Sequence, residues 1–227
     1  MPATQIQVGP PSNVSATDGQ LYTQLGGKGT EGIVAELHGK YYTQVYRGNC
    51  FLLSTVGAGL AIPILTTTSP NLVLWNPLGS GKNAVLLRYC AANSNNATTI
   101  AGAIFMMASM NAGSTIATGA VFTAFTQAAV GTNLFNCNIG SGIMSAMRSA
   151  ATVTNTLTAA PTAIVATLGV SGVGTAAGLV AANSTNAIVY DFDGTLLVPP
   201  GVAVHVAAGA ASGALVQQSL LWEEVPV

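Results

Sequence analysis

The sequence predicts an all-β fold, of the sandwich or barrel type, with an extended N-terminal arm, and three observations bear on this prediction. Short apolar runs recur from Cys50 onward, separated by Gly, Pro, Asn and Ser. Charged residues make up only 6% of the chain, whereas hydrophobic residues make up 50%. The length of 227 residues is sufficient for one large β domain with a substantial apolar core.

The first part of the chain differs from the remainder. Residues 1–48 contain a glycine-rich run at 26–30 and little apolar periodicity. We therefore expect residues 1–48 to form an extended arm that makes intermolecular contacts, and residues 49–227 to form the sandwich. Within the second part, the apolar runs predict strands at 50–56, 60–66, 71–76, 84–92, 98–108, 119–125, 163–169, 186–190, 194–198, 201–208 and 214–223.

Turn residues indicate how some of these strands are joined. A Pro- and Gly-containing segment at 77–82 predicts a hairpin between the strands on either side of it. Pro199, Pro200 and Gly201 predict a corner, and the strand after it places its valines on one face, which we expect to lie in the core. The spacing of apolar residues in 142–151 predicts a short helix.

Scarce charge bears directly on the class of protein. Six basic and seven acidic side chains cannot supply the mixed charge of an ordinary soluble surface, so we expect part of the surface to be buried against partner proteins. The formal net charge is −1 and basic clusters are absent from the sequence, so we expect no nucleic-acid partner.

A membrane partner is not expected either. The longest uncharged candidate, residues 159–182, is built mainly from small residues and contains Pro161, which makes it a poor membrane span. It is better interpreted as two short strands around a turn at 171–174. The N-terminal residues do not have the pattern of a secretory signal, so we expect synthesis in a cytoplasm.

Residues that often carry chemistry are few. Cys50, Cys90 and Cys137 are widely spaced, which favours buried free thiols over a disulfide framework or a zinc site. His38 and His205 are the only histidines, and a structural or interface role is favoured over catalysis for both. We expect no catalytic, cofactor-binding or metal-binding residues and no cofactor.

One motif favours an enzyme. The sequence Asp-Phe-Asp-Gly-Thr at 191–195 resembles the first motif of the haloacid dehalogenase superfamily of phosphatases. The resemblance implies that Asp191 is a nucleophile and Asp193 a general acid/base around magnesium. That chemistry also needs a later Lys and a further acidic pair, and only Glu223 and Glu224 are acidic after Thr195, with no Lys. A phosphatase therefore remains a remote alternative, and a polar strand entering a turn is favoured.

A second motif is also better interpreted as a turn. Residues 79–82, Gly-Ser-Gly-Lys, imitate the end of a phosphate-binding loop, but Asn83 stands where that loop requires Ser or Thr. The segment therefore favours a hairpin turn over a nucleotide site.

Three stretches carry a wider resemblance. Residues 51–64, 74–83 and 198–225 resemble virion proteins of tailed bacteriophages, in the style of the jelly-roll sandwiches of capsid cement and decoration proteins and of some fibre or spike domains. The likeness covers about residues 50–227, and it implies that the fold there is an antiparallel jelly-roll-like β-sandwich. It implies a non-enzymatic homo-oligomer, a homotrimer in the first instance, that binds the major capsid protein or other virion proteins and resides in the virion after assembly in the host cytoplasm. The alternative is a receptor-binding module of a tail fibre or spike, for which the Asn-rich segment 93–97 is a candidate glycan loop.

Overall fold

The structure is a computed structural model that describes residues 6–7, 24–25, 39–65, 68–94, 102–109, 115–118, 133–151, 156–158, 163–171, 187–211 and 214–227. The chain divides into two compact units, Met1–Tyr42 and Thr43–Val227. In the first unit, β1 (Ile6–Gln7) pairs in parallel with β2 (Gln24–Leu25). Most of the predicted arm, including the run at 26–30, lies outside the described residues, and the arm stays a prediction.

The remaining elements make up a fold that is almost entirely β-structure. A single short helix, α1 (Tyr42–Tyr46), precedes the strands in the described part of the chain. The strands are β3 (Cys50–Ser54), β4 (Leu60–Ala61), β5 (Val73–Trp75), β6 (Lys82–Asn93), β7 (Gly102–Ser109), β8 (Ile116–Thr118), β9 (Asn133–Asn136), β10 (Arg148–Ala150), β11 (Thr156–Leu157), β12 (Ala163–Ser171), β13 (Ile188–Val198), β14 (Ala203–Ala208) and β15 (Leu215–Pro226).

Two antiparallel sheets form the sandwich. One has the strand order β13-β6-β15-β3-β9, with β4 beside β15, and the other has the order β10-β5-β14-β7-β12. The strands β8 and β11 form a separate two-stranded sheet. The all-β sandwich predicted from the apolar runs is confirmed.

The core lies between the two sheets because alternate side chains of each strand point inward. Phe51 and Trp222 stack with their ring centroids 6.0 Å apart, and both are fully buried. The opposite sheet contributes Leu74, Met106 and Val204 to the same cluster.

The strand β14 is buried on both faces. Val204 and Val206 face the main core, which confirms the predicted valine face. On the opposite face, Ala203 packs with Val73 and Leu157 in a second, smaller cluster. The strand therefore lies at the centre of its sheet with apolar cover on each side.

One predicted connection differs from the structure. The strands around 77–82 do not form a hairpin, because β5 and β6 belong to different sheets. The predicted corner at 199–201 is present, and it carries the chain from β13 in one sheet to β14 in the other. Asn76 stabilises both crossings: its Nδ2 donates to the carbonyl oxygens of Lys82 and Val198, each at 2.8 Å.

Other predictions need correction. The predicted helix at 142–151 is wrong: residues 141–145 are irregular, and Arg148–Ala150 forms β10. The strands predicted at 186–190 and 194–198 are one continuous strand, β13, with a register shift between Asp191 and Leu196. The predicted strand 119–125 and the turn residues 172–174 lie outside the described residues, and β8 to β11 were not predicted.

Candidate interaction surface

The Asp-Phe-Asp-Gly-Thr motif at 191–195 lies within the strand β13. Asp191 is on β13 and forms an ion pair with Arg88, its cross-strand partner on β6, with both side chains about half exposed. Phe192 points the other way into the core. Asp193 and Gly194 have positive φ angles of 49° and 81° and form the irregularity within β13. The part of the chain that the structure describes holds no cluster of three or more His, Cys, Asp or Glu suited to a metal ion.

The lysine of the Gly-Ser-Gly-Lys segment is bound within the protein. Lys82 Nζ lies 3.3 Å from the Glu224 carboxylate, and the backbone N–H of Lys82 donates to Ser80 Oγ at 3.3 Å. Gly79 and Gly81 adopt positive φ angles of 102° and 67° in the turn before β6. The segment is therefore a tight turn between the two sheets.

The histidine that the structure describes is buried. His205 is only 2% exposed on β14, and its Nδ1 lies 3.2 Å from the carbonyl oxygen of Val206. Burial lowers the pKa of His205 to about 4, so the ring is neutral at physiological pH. Of the structural and interface roles considered for His205, this buried position fits the structural one, whereas His38 lies outside the described residues.

The three cysteines are free thiols in different environments. Cys50 is fully buried at the start of β3, whereas Cys90 and Cys137 are partly exposed. The expectation of free thiols is met, but the expectation of burial holds fully for Cys50 alone.

Among the described residues of the second unit, one end of the sandwich carries most of the strongly exposed large apolar side chains. The starts of β3 and β6 and the end of β15 meet there, since Cys50 is in register with Glu223 and Lys82 with Pro226. Relative exposures of the apolar side chains at this end range from 42% to 86%. We call this region the apolar end, and it comprises Tyr46, Leu78, Ile139, Ile143, Met144 and Val227.

Polar side chains hold the loop after β9 against the start of β3. Asn136 Nδ2 donates to the carbonyl oxygen of Gly48 at 2.8 Å, and Asn138 Nδ2 donates to that of Tyr46 at 3.0 Å. Gly48 has a φ of 75°, and a Cβ there would come within 2.2 Å of the Ile143 side chain. These contacts place Tyr46, Ile139 and Ile143 close together.

The buried carboxylate of Glu224 anchors the next part of the same loop. Its oxygens accept a hydrogen bond from the backbone N–H of Ala146 at 3.0–3.1 Å and another from Ser145 Oγ. Glu224 is 1% exposed and also contacts Lys82. The segment that presents Ile143 and Met144 to solvent is therefore fixed to the sandwich and is not held by apolar packing alone.

A shallow depression of about 200 Å³ lies elsewhere on the described surface, on the outer face of the β13-β6-β15 region. It is lined by small or uncharged residues, among them Ser54, Cys90, Gln217 and Ser219. Drug-sized ligands usually occupy larger and more enclosed clefts. The exposed apolar end is the feature that stands out, because clustered apolar exposure marks interaction surfaces more often than isolated exposure does.

Sequence reasoning missed the apolar end. The spacing of Ile143, Met144 and Met147 predicts a helix, and these three side chains would then lie on its buried face. The signal for a loop was present in Asn136 and Ser141, whose side-chain oxygens each accept a hydrogen bond from the backbone N–H two residues later.

Comparisons with known proteins identify no relative of this chain. The chain matches no protein-family model, no curated protein and no solved structure. No helix within the described ranges is long and apolar enough to cross a bilayer.

Proposed function

We propose that this chain is a structural protein of a tailed-bacteriophage virion, a capsid cement or decoration protein that stabilises the head by associating with itself and with the major capsid protein. The observation that carries the proposal is the combination of scarce charge, 6% of all residues, with an apolar end whose side chains are 42% to 86% exposed. Such a surface is poorly suited to a solitary soluble protein.

The strand pairing supports a jelly roll, the sandwich used by many virion proteins. Eight strands pair in a nested order, the first with the last: β3 with β15, β5 with β14, β6 with β13 and β7 with β12. We infer that the sandwich is a jelly roll, because nested antiparallel pairing distributed over two sheets is the topology of that fold.

The energetics favour assembly through apolar contact. An obligate interface usually buries 2,000 Å² or more, and at about 25 cal/mol per Å² its apolar part contributes a gross gain of tens of kcal/mol before the costs of association. Lys82 and Glu224, two of the few charged residues at the apolar end, are paired with each other. The surface around them can therefore be desolvated without burying either charge unpaired.

Localisation in purified particles tests the proposal. Phage particles produced from a genome that encodes the chain would be labelled with gold-conjugated antibodies raised against the folded protein. We expect gold on the heads, and loss of head integrity on dilution or heating when the gene is deleted. Gold confined to the tail tip would support the receptor-binding alternative instead. Absence of gold from both intact and disrupted particles would contradict a virion role.

A further inference from the structure

Two of the three cysteines lie directly opposite each other on neighbouring strands. The strand β3 pairs with β9 so that Phe51 faces Asn136, and this register places Cys50 opposite Cys137. The backbone N–H of Cys137 donates to the carbonyl oxygen of Cys50 at 2.9 Å, which extends the pairing by one residue. The two residues are 87 positions apart in sequence, so their spacing did not reveal the pair.

The geometry of the pair suits a disulfide. Phe51 points into the core, so Cys50 points to the outer face of the sheet, and Cys137 points to the same face because directly opposed residues share one. Opposed residues of a hydrogen-bonded antiparallel pair have Cα atoms about 5.5 Å apart, and disulfides form at Cα separations of about 4.4–6.8 Å. Cys137 lies in a bend just after β9, where the backbone can adjust to bring the sulfur atoms together.

We propose that Cys50 and Cys137 are a thiol pair that closes an intramolecular disulfide under oxidising conditions and thereby ties the edge strand β9 to β3. The bond would fix the start of the loop that carries Ile139, Ile143 and Met144. This inference does not depend on the proposed virion role.

The chemical step needs a two-electron oxidant, and a peroxide is sufficient. The partly exposed Cys137 thiolate attacks hydrogen peroxide, giving a sulfenic acid and releasing water after proton uptake. The Cys50 sulfur then attacks the Cys137 sulfur, forming the S–S bond and releasing a second water. Two thiols are oxidised to one disulfide while one peroxide is reduced to two waters.

The environment should make both thiols slow to oxidise. Burial raises the pKa of Cys50 to about 12, with smaller contributions from Cys137 and from Glu223, its neighbour on β15. Burial also raises the pKa of Cys137 to about 11. Because the thiolate is the reactive form, oxidation should be slow in a reducing cytoplasm and should proceed after exposure to an oxidising exterior.

The register excludes Cys90 as the partner of Cys50. Cys90 is opposite Ser219 on β15, whereas Cys50 is opposite Glu223, four residues further along the same strand. At about 3.3 Å per residue this offset alone is roughly 13 Å, well beyond disulfide distance. Cys90 is therefore a matched internal control.

Thiol titration and peptide mapping test the proposal. The full chain would be treated with hydrogen peroxide at mildly alkaline pH and unfolded, and its free thiols would be counted. We expect the number of free thiols to fall from three to one, while the mass of the covalent chain stays that of a monomer. The melting temperature should rise by on the order of 10 °C, and dithiothreitol should reverse the rise. Tryptic mapping should be done in Cys90→Ser, because Cys90 and Cys137 otherwise share one tryptic peptide.

The variants separate the possible outcomes. Cys90→Ser should retain the crosslink and the melting shift, whereas Cys50→Ser and Cys137→Ser should lose both. Persistence of all three thiols under oxidation, or covalent dimers without the Cys50–Cys137 peptide, would overturn the proposal. Since the mapping uses chains that keep both cysteines, it stays decisive even if Cys50→Ser fails to fold.

Discussion

The carboxylate of Glu224 lies 3.3 Å from the ammonium of Lys82 and accepts hydrogen bonds from Ser145 and Ala146. One buried side chain near the end of β15 thus joins the start of β6 to the loop that presents Met144. This relationship makes the apolar end a fixed surface and gives the first prediction.

Glu224→Ala should lower the free energy of unfolding by about 3 kcal/mol, because its removal leaves the buried Ser145 hydroxyl and the Ala146 N–H without their acceptor. Lys82→Met should cost less, about 1 kcal/mol, since the Lys82 side chain is 35% exposed and solvent already screens its charge. Urea denaturation measures both. Glu223→Gln, at the adjacent outward-facing position, is the control and should change stability by less than about 0.5 kcal/mol.

The neutral state of His205 predicts a dependence of stability on pH. The pKa of His205 is about 4 in the folded protein and near 6.5 in the unfolded chain. Its contribution to stability is complete above pH 6.5 and is lost as the pH falls toward 4, because the unfolded chain takes up a proton that the folded protein excludes. The loss should reach about 3 kcal/mol over this window.

Comparison with His205→Gln isolates this contribution from the carboxylates. The pKa of Glu223 is raised by burial, so its effect has the opposite sign and favours the folded state as the pH falls. The stability of His205→Gln, measured by urea denaturation at a series of pH values, should decline less steeply between pH 6.5 and 4 than that of the wild type. Equal slopes for the two proteins would show that His205 is not excluded from protonation in the fold.

The irregularity in β13 predicts a strict requirement for glycine at position 194. Gly194 has a φ of 81°, and a Cβ there would lie 3.3 Å from Val85 Cγ1. Gly81 has a similar φ of 67° but open space around it. Gly81→Ala should cost about 1 kcal/mol of stability for backbone strain alone, and Gly194→Ala should cost about 1 kcal/mol more for the added contact. Equal losses in urea denaturation would argue against the packing on Val85.

Part of the fold could be predicted from the sequence. The apolar runs identified most of the strands that build the core, and the alternation of Val204 and Val206 with smaller residues identified the inward face of β14. Both features depend on the period of a strand, which is a local property. The buried position of Glu224 could not be predicted in this way, because the partners of its carboxylate come from two distant segments, one with Lys82 and one with Ser145 and Ala146.

The connections between strands could not all be predicted, because they too depend on contacts between segments that are distant in sequence. A Pro- and Gly-containing turn at 77–82 is compatible with a hairpin or with a crossing between sheets, and the choice is made by partners such as β14 and β15, more than 100 residues away. The segment at 142–151 has apolar spacing that fits a helix, but a hydrogen bond donated by Asn136 to Ile143 and one accepted by Glu224 from Ala146 hold its first part as a loop. Local pattern was therefore outweighed by tertiary contacts.

The apolar end predicts which substitutions should disrupt association. Ile139 is 86% exposed there, whereas Val189 is 59% exposed on β13, away from this end. If the apolar end is the interface, Ile139→Lys should weaken self-association at least ten-fold, since a charge would be buried without a partner. Val189→Lys should leave it unchanged. Mass photometry over a dilution series measures both, and equal effects of the two substitutions would place the interface elsewhere.

Burial-driven self-association is the central claim, and sedimentation velocity at low and at molar salt tests it most directly. Apolar burial is not screened by ions, whereas association through ion pairs weakens as salt is added. The account predicts an oligomer, a trimer in the first instance, that has the same sedimentation coefficient at both salt concentrations at micromolar protein. A soluble monomer under both conditions would contradict it.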